Sequence, residues 1–151
     1  MIRPARPDEA SLLTDLAFRS KAYWGYSDEF MELCREELTI SAAYLGQHAC
    51  FVLEADRHPA GFTSLERLTG TRAELGHLFV EPSEIGHGYG KELMTHAISE
   101  ARKKGYGVLE IQADPNAESF YRSCGARRVG MKPSASIAGR DLPLMELELQ
   151  K

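Results

Sequence analysis

The sequence predicts an α/β or α+β fold built on a single sheet. Three observations carry that reading. Short strand-like segments alternate with helical ones along the whole chain, a pattern that stacks helices on a sheet. The longest helical stretch starts directly after a glycine-rich turn that closes a strand. The chain has 151 residues, and since domains commonly hold roughly 100–200 residues, residues 1–151 read as one domain. A chain of this size buries about 68–70% of the surface its unfolded form exposes, so it needs no disulfide or metal staple.

The elements follow in order. Ile2–Pro4 is a short first strand. Asp8 is placed to cap a helix running to about Ala22, with Leu12, Leu13 and Leu16 on its inner face. After the loop of residues 23–27, Ser27 caps a second helix whose apolar stripe is Phe30, Leu33, Cys34 and Leu38. Residues 49–55 and 60–68 form a hairpin around a turn at residues 56–59. Residues 73–80 are the next strand. The long helix covers residues 89–104, burying Leu93, Met94, Ala97, Ile98 and Ala101, and Lys103 and Lys104 put positive charge at its negative end before Gly105 stops it. A strand at residues 108–113 and a short helix at residues 116–124 come next. Residues 127–131 and 144–149 are the last strands. In the second of these, Met145, Leu147 and Leu149 alternate with Glu146 and Glu148, so one face is wet.

Composition narrows the function classes. Hydrophobic residues at 43% and charged residues at 26% are ordinary globular usage, which excludes a disordered tail, a collagen-like fibre and a coiled coil. No stretch approaches the roughly 18 apolar residues of a membrane span. The opening MIRPARPDEA lacks the apolar core of a signal peptide, which predicts a cytoplasmic protein. A net charge of −4 argues against tracking nucleic-acid phosphates. Cys34, Cys50 and Cys124 form no C-x-x-C pair and read as small reduced thiols, and five histidines without paired spacing suggest no metal site.

The chemistry concentrates in two motifs. Leu78-Phe79-Val80-Glu81-Pro82 leads into Ile85-Gly86-His87-Gly88-Tyr89-Gly90-Lys91. Glycines there let backbone N–H groups converge on one concavity, backed by the positive end of the helix dipole, and that geometry fits a pyrophosphate. The spacing is neither G-x-G-x-x-G nor G-K-[ST], so neither a dinucleotide fingerprint nor a P-loop matches. The second motif is Asn116-Ala117-Glu118-Ser119-Phe120-Tyr121, followed by Gly125-Ala126.

Together these segments resemble the GNAT superfamily of N-acetyltransferases. Its phosphate loop reads Q/R-x-x-G-x-G/A at the start of a long helix; here Gly88 and Gly90 stand within Ile85-Gly86-His87-Gly88-Tyr89-Gly90, and Ile85 occupies the place of the usual Gln or Arg. The segment 116–126 is similar to the superfamily's N-x-x-x-x-F/Y-Y-x-x-x-G-F/A run. The resemblance covers nearly the whole chain. It implies a mixed, mostly antiparallel central sheet of about seven strands flanked by about four helices, with a splayed parallel strand pair holding coenzyme A.

The activity it implies is transfer of an acetyl group from acetyl-CoA to a primary amine by direct attack, in a small-molecule or peptide acceptor. Leu78, Phe79, Val80, residues 85–91, Asn116, Ser119 and Tyr121 would hold the cofactor. Glu74 matches a general-base glutamate that some members carry at this distance before the loop. The backbone N–H of Val80 or Phe79 is the oxyanion candidate, and Tyr121 is the acid that protonates the departing thiolate. On a regular strand Glu74 and His77, three apart, face opposite ways, and Glu74 shares its face with Gly76 and Leu78. Asn116 is also placed to cap its helix.

The acceptor side is less marked. Tyr23, Trp24 and Tyr26 crowd one loop between the first helices and either line an acceptor pocket or plug the helix pair onto the sheet. His77 and Arg140 complete the substrate-side candidates. The resemblance also suggests a homodimer through sheet edges, which show no proline or lysine guard. Two other function classes fit parts of the pattern. One is an acyl-CoA-sensing module without turnover. The other is an ATP-binding protein, disfavoured by the missing G-K-[ST].

Overall fold

The computed structural model describes residues 1–149. Its strands are β1 (Ile2–Pro4), β2 (Ala49–Ala55), β3 (His58–Arg67), β4 (Arg72–Val80), β5 (Val108–Gln112), β6 (Arg127–Pro133) and β7 (Asp141–Glu148). Its helices are α1 (Ala10–Ala22), α2 (Asp28–Leu33), α3 (Arg35–Leu38), α4 (Ala42–Gln47), α5 (Tyr89–Lys103) and α6 (Glu118–Ser123). The strands join in one sheet in the order β1-β2-β3-β4-β5-β7-β6, antiparallel except between β4 and β5. Among the described residues no helix is long and apolar enough to cross a membrane.

Several local expectations shift. Glu9, not Asp8, closes the turn ahead of α1: its Oε1 accepts from the Arg6 N–H at 2.8 Å and its carboxylate is gripped by Arg3. Leu12 stands 43% exposed on the outer side of α1. The second helix breaks at Cys34 into α2 and α3, and the break turns Leu33 to solvent at 59% exposure. Ser27 does cap α2, accepting from the Phe30 N–H at 3.1 Å. A further short helix, α4, starts at Ser41, whose hydroxyl accepts from the Tyr44 N–H. Asp56 and Arg57 both take positive φ, the two-residue hairpin turn that matches strand twist, so β3 starts at His58. The outer strands carry guards after all: Pro4 on β1, Lys132 and Pro133 on β6.

Two apolar layers sandwich the sheet. On one face Leu13, Leu16 and Ala17 of α1, with Met31, Leu38 and Leu45, pack against Cys50, Val52 and Phe62. On the other, Met94, Ala97 and Ala101 of α5 and Tyr121 of α6 cover Ala73, Leu75, Leu109, Ile111 and Met145. Cys34 and Cys50 are buried free thiols, and burial pushes the Cys50 thiol up to about 11.

The feature that positions the site lies in β4. Its ladder to β5 pairs only Arg72, Glu74 and the residue between them with residues 108–110. Beyond Glu74 the two parallel strands part. Here β4 also carries a bulge against β3: Ser64 pairs with His77 but Leu65 pairs with Leu75, leaving Gly76 as the extra residue. A bulge bends its strand and increases the local twist, which carries the second half of β4 away from β5. Glycine suits the bulge, because a Cβ there would sit 2.5 Å from the Tyr44 hydroxyl and 2.8 Å from Ser64 Oγ and would have to displace these side chains.

Candidate active site

The parting strands open a cleft of about 1270 Å³. It is lined by the second half of β4, the start of α5, the end of β5 and the start of α6, with α1, α3 and α4 opposite.

The end of the cleft at the start of α5 is built from backbone. Gly86 and Gly88 hold φ of 101° and 77°, the left-handed region open to glycine without strain. Gly88 is the N-cap of α5 and, with no side chain, leaves the first N–H groups of that fifteen-residue helix unanswered by any cap. Nothing lies within 4 Å of where a Cβ would stand on Gly86 or Gly88, so the concavity is open. Ile85, Gly86, Gly88, Tyr89, Gly90 and Lys91 line it. His87 does not: it stacks on Tyr89 on the outer side, its Nδ1 2.9 Å from the Glu84 carbonyl oxygen. The residues present thus fit a diphosphate-bearing cofactor.

The middle of the cleft is the free edge of β4. Glu81 N–H donates to the Ala60 carbonyl of β3 at 2.8 Å. Backbone groups alternate along a strand, so Phe79 N–H also points to β3, while Leu78 and Val80 N–H point into the gap. Of the two oxyanion candidates, Val80 is the one aimed at the opening. Tyr121, 8% exposed, packs beneath the gap, and burial raises its phenol well above the usual value. A phenol so held stays protonated at neutral pH and can act as a donor. Ser119 and Asn116 line the same stretch.

The wall formed by β3 and β4 depends on the bulge. The extra residue at Gly76 reverses the alternation, so Glu74 and His77 share one face of β4. Leu78 turns to the opposite layer, against α5 and α6. Glu74 has Glu66 directly across on β3 and Glu110 across on β5. Burial, then Glu66, holds the Glu74 carboxyl above the ordinary range. Burial lowers His77 to about 4, so its imidazole is neutral at physiological pH. Tyr44 donates to Glu66 Oε2 at 2.6 Å and lies 2.8 Å from Ser64 Oγ, bracing the wall from α4. Tyr23 and Trp24, 57% and 47% exposed, stand at the cleft's rim.

Tyr26 and Arg140 lie outside the cleft, in a clamp around Asp114 at the end of β5. Tyr26 Oη donates to Asp114 Oδ2 at 2.8 Å, Lys21 Nζ lies 2.9 Å from the same oxygen, and Arg140 donates to Tyr26 Oη at 2.8 Å. Burial alone would raise the Asp114 carboxyl, but Lys21 and the hydrogen bonds from Asn116 N–H and Tyr26 outweigh it and hold it low. Asp114, rather than Asn116, caps the turn at Pro115–Ala117. The clamp ties the α1–α2 loop to the end of β5 and to the β6–β7 hairpin, and neither of these two candidates lines the cleft.

Sequence reasoning missed Tyr44, Glu66 and Asp114. Asp-Pro-Asn is a readable turn-capping signal, so Asp114 was within reach. Glu66 was not, because its importance comes from sheet register.

The profile of the Acetyltransferase (GNAT) family matches residues 13–126. Among solved structures, the PaiA N-acetyltransferase of Thermoplasma acidophilum, in complex with coenzyme A, is 22% identical with a TM-score of 0.80, each chain covered to 98%. A GCN5-related N-acetyltransferase of Rhodopseudomonas palustris is 23% identical with a TM-score of 0.81, covering 98% of this chain and 94% of that one. YncA of Salmonella typhimurium, solved with acetyl-CoA, is 21% identical with a TM-score of 0.72, covering 100% and 94%. No curated protein matches the chain. With the profile spanning most of its length, on a sheet that parts above a glycine cradle, the chain belongs to the GNAT family of acetyltransferases.

Proposed function

We propose that the protein transfers an acetyl group from acetyl-CoA to a primary amine by direct attack within a ternary complex. The observation that carries this reading is the parting of β4 from β5 above the glycine cradle, with the Val80 N–H aimed into the gap and Tyr121 buried beside it. Acetyl-CoA supplies an activated acyl thioester. Residues 86–91 hold its phosphates through backbone N–H groups, and Leu78, Val80, Asn116 and Ser119 line the channel for its arm. Glu74 takes the proton of the attacking amine, directly or through a water, which suits a carboxyl whose affinity for protons is raised by burial. Val80 N–H stabilises negative charge on the carbonyl oxygen. Tyr121 gives its proton to the leaving sulfur.

The balance closes. A nitrogen–carbon bond forms as the carbon–sulfur bond breaks. An ammonium acceptor loses two protons, one to water and one to Glu74. The sulfur takes one from Tyr121, and exchange with water then returns a proton to Tyr121 and removes one from Glu74, so one proton is released overall. We place this activity in the cytoplasm. We also propose a homodimer whose interface covers the side chains of Val129 and Met131, 41% and 49% exposed, rather than pairing the guarded edge of β6.

Melting curves with acetyl-CoA, CoA and ATP side by side, followed by thiol release on an amine panel, test the reading. At 100 times Kd, acetyl-CoA should add about 2.7 kcal/mol of stability, and ATP far less. An acetyl-CoA shift with no acylation of any amine would mark an acyl-CoA sensor instead, and no shift at all would overturn both.

A further inference from the structure

Glu66, Glu74 and Glu110 face one another on three adjacent strands, in the register Glu66–Glu74–Glu110. Like charges directly opposite on a sheet are unfavourable unless something neutralises them. Arg72 answers one end of the row only, with Nε 2.9 Å from Glu110 Oε2 and its terminal nitrogen on Glu146. Among the described residues, no cation forms an ion pair with Glu66, with Glu74 or with Glu37 on the opposite wall. Lys21 is committed to Asp114 at 2.9 Å, and Lys132 acts on Glu74 only at longer range. The acceptor end therefore carries more negative charge than the chain itself compensates.

A second, independent feature lies on the same wall. His77 is set deep between Tyr44, Phe62 and Phe79, with ring centroids 5.4, 6.0 and 5.8 Å away. It faces the cleft, and neither ring nitrogen bonds a described residue. A neutral imidazole left this way has an acceptor nitrogen that a ligand N–H can fill. Tyr23 and Trp24 at the rim add aromatic faces suited to a passing cation.

Resting on the acetyl-transfer reading, we propose that the acceptor is a small amine with a second positive charge, a diamine or longer polyamine. One nitrogen reaches the gap where β4 leaves β5 and donates to His77. The other stays an ammonium against Glu66 and supplies the charge that the carboxylate row lacks. A single-charge amine leaves that row unanswered, and an amino acid adds a carboxylate to it.

The test uses the full chain, acetyl-CoA and three acceptors of equal length: α,ω-diaminobutane, butylamine and ω-aminobutanoate. The expected kcat/KM for the diamine exceeds that for butylamine by about tenfold or more, the usual weight of a charge-assisted hydrogen bond, and aminobutanoate is poorest. Glu66→Gln should raise the diamine KM and narrow that ratio, while the acetyl-CoA melting shift certifies the fold. Equal rates for diamine and butylamine, preference for aminobutanoate, or an unchanged ratio in a Glu66→Gln protein that still binds acetyl-CoA would overturn the proposal and leave acetyl transfer standing. Failure of all three amines in a protein that still shows the acetyl-CoA melting shift would likewise overturn the proposal, and the wider amine panel would then decide the transfer reading separately.

Discussion

Two walls of the same cleft are made of different material. On the cofactor wall, residues 86–91 offer backbone N–H groups at the head of a fifteen-residue helix, and the side chains matter little beyond the absence of a Cβ. On the acceptor wall, β3 and β4 offer Glu66, Glu74 and His77, and everything depends on which face each side chain takes. In the proposed reaction the first wall holds a group common to every transfer from acetyl-CoA, and backbone can do that. The second would select one partner among many amines, which requires charge and shape carried by particular side chains. Each wall also hinges on glycine, for opposite reasons: Gly88 because its φ is positive, Gly76 because neighbouring side chains already occupy the place of a Cβ.

The sharpest way to separate the walls is Glu74→Gln. Acid–base groups commonly contribute about 10²–10⁴-fold, so kcat should fall by that order while acetyl-CoA affinity holds. The sign of the pH effect follows from the direction of the shift. Glu74 must be ionised to accept a proton, and its folded-state affinity for protons is raised. Activity should therefore climb with pH through a value above the ordinary carboxylate range, and the variant should lose that climb. A pH–rate profile with the same acidic limb in both proteins would move the base elsewhere on the acceptor wall.

A middle-sized effect belongs to the cofactor wall. Asn and Asp both tolerate left-handed backbone better than other side chains, so Gly88→Asn and Gly88→Asp pay similar strain and differ in charge. Titration calorimetry should show CoA binding weakened further in the Asp variant, by about tenfold, since charged hydrogen bonds carry roughly 1.5–3 kcal/mol. Equal affinities would place the phosphates away from residues 86–91.

The smallest expected effect tests the bulge. Gly76→Ala forces a methyl against Tyr44, Ser64 and Glu66. Overpacking of this kind typically costs about 1–3 kcal/mol. Chemical denaturation should report that loss, while acceptor KM rises and CoA affinity stays near wild type. Loss of CoA affinity instead would show that the two walls are mechanically coupled.

Much of this was written along the chain. Hydrophobic period, turn residues and the strand–glycine–helix order are local properties, so the sheet, the long helix and the phosphate cradle could be read without a structure. Tyr121, Asn116 and Ser119 came from the resemblance of one contiguous segment, and all three line the cleft. The second helix of the reading was wrong in phase: its apolar run was continuous, but the chain breaks at Cys34 and leaves Leu33 outside.

What tertiary structure alone decided is the acceptor wall. One extra residue at Gly76 reverses strand parity, and no local pattern announces it, since a glycine in a strand is as compatible with regular pairing as with a bulge. That reversal put His77 beside Glu74 and sent Leu78 to the other layer. Sheet register then set Glu66 against Glu74, and packing drew Tyr26 and Arg140 onto Asp114 instead of into the cleft. Local sequence determines which backbone can bind a phosphate, because the cradle is contiguous in the chain. The juxtaposition of residues 37, 66, 74 and 77 is a long-range outcome, decided only when strands pair and helices pack.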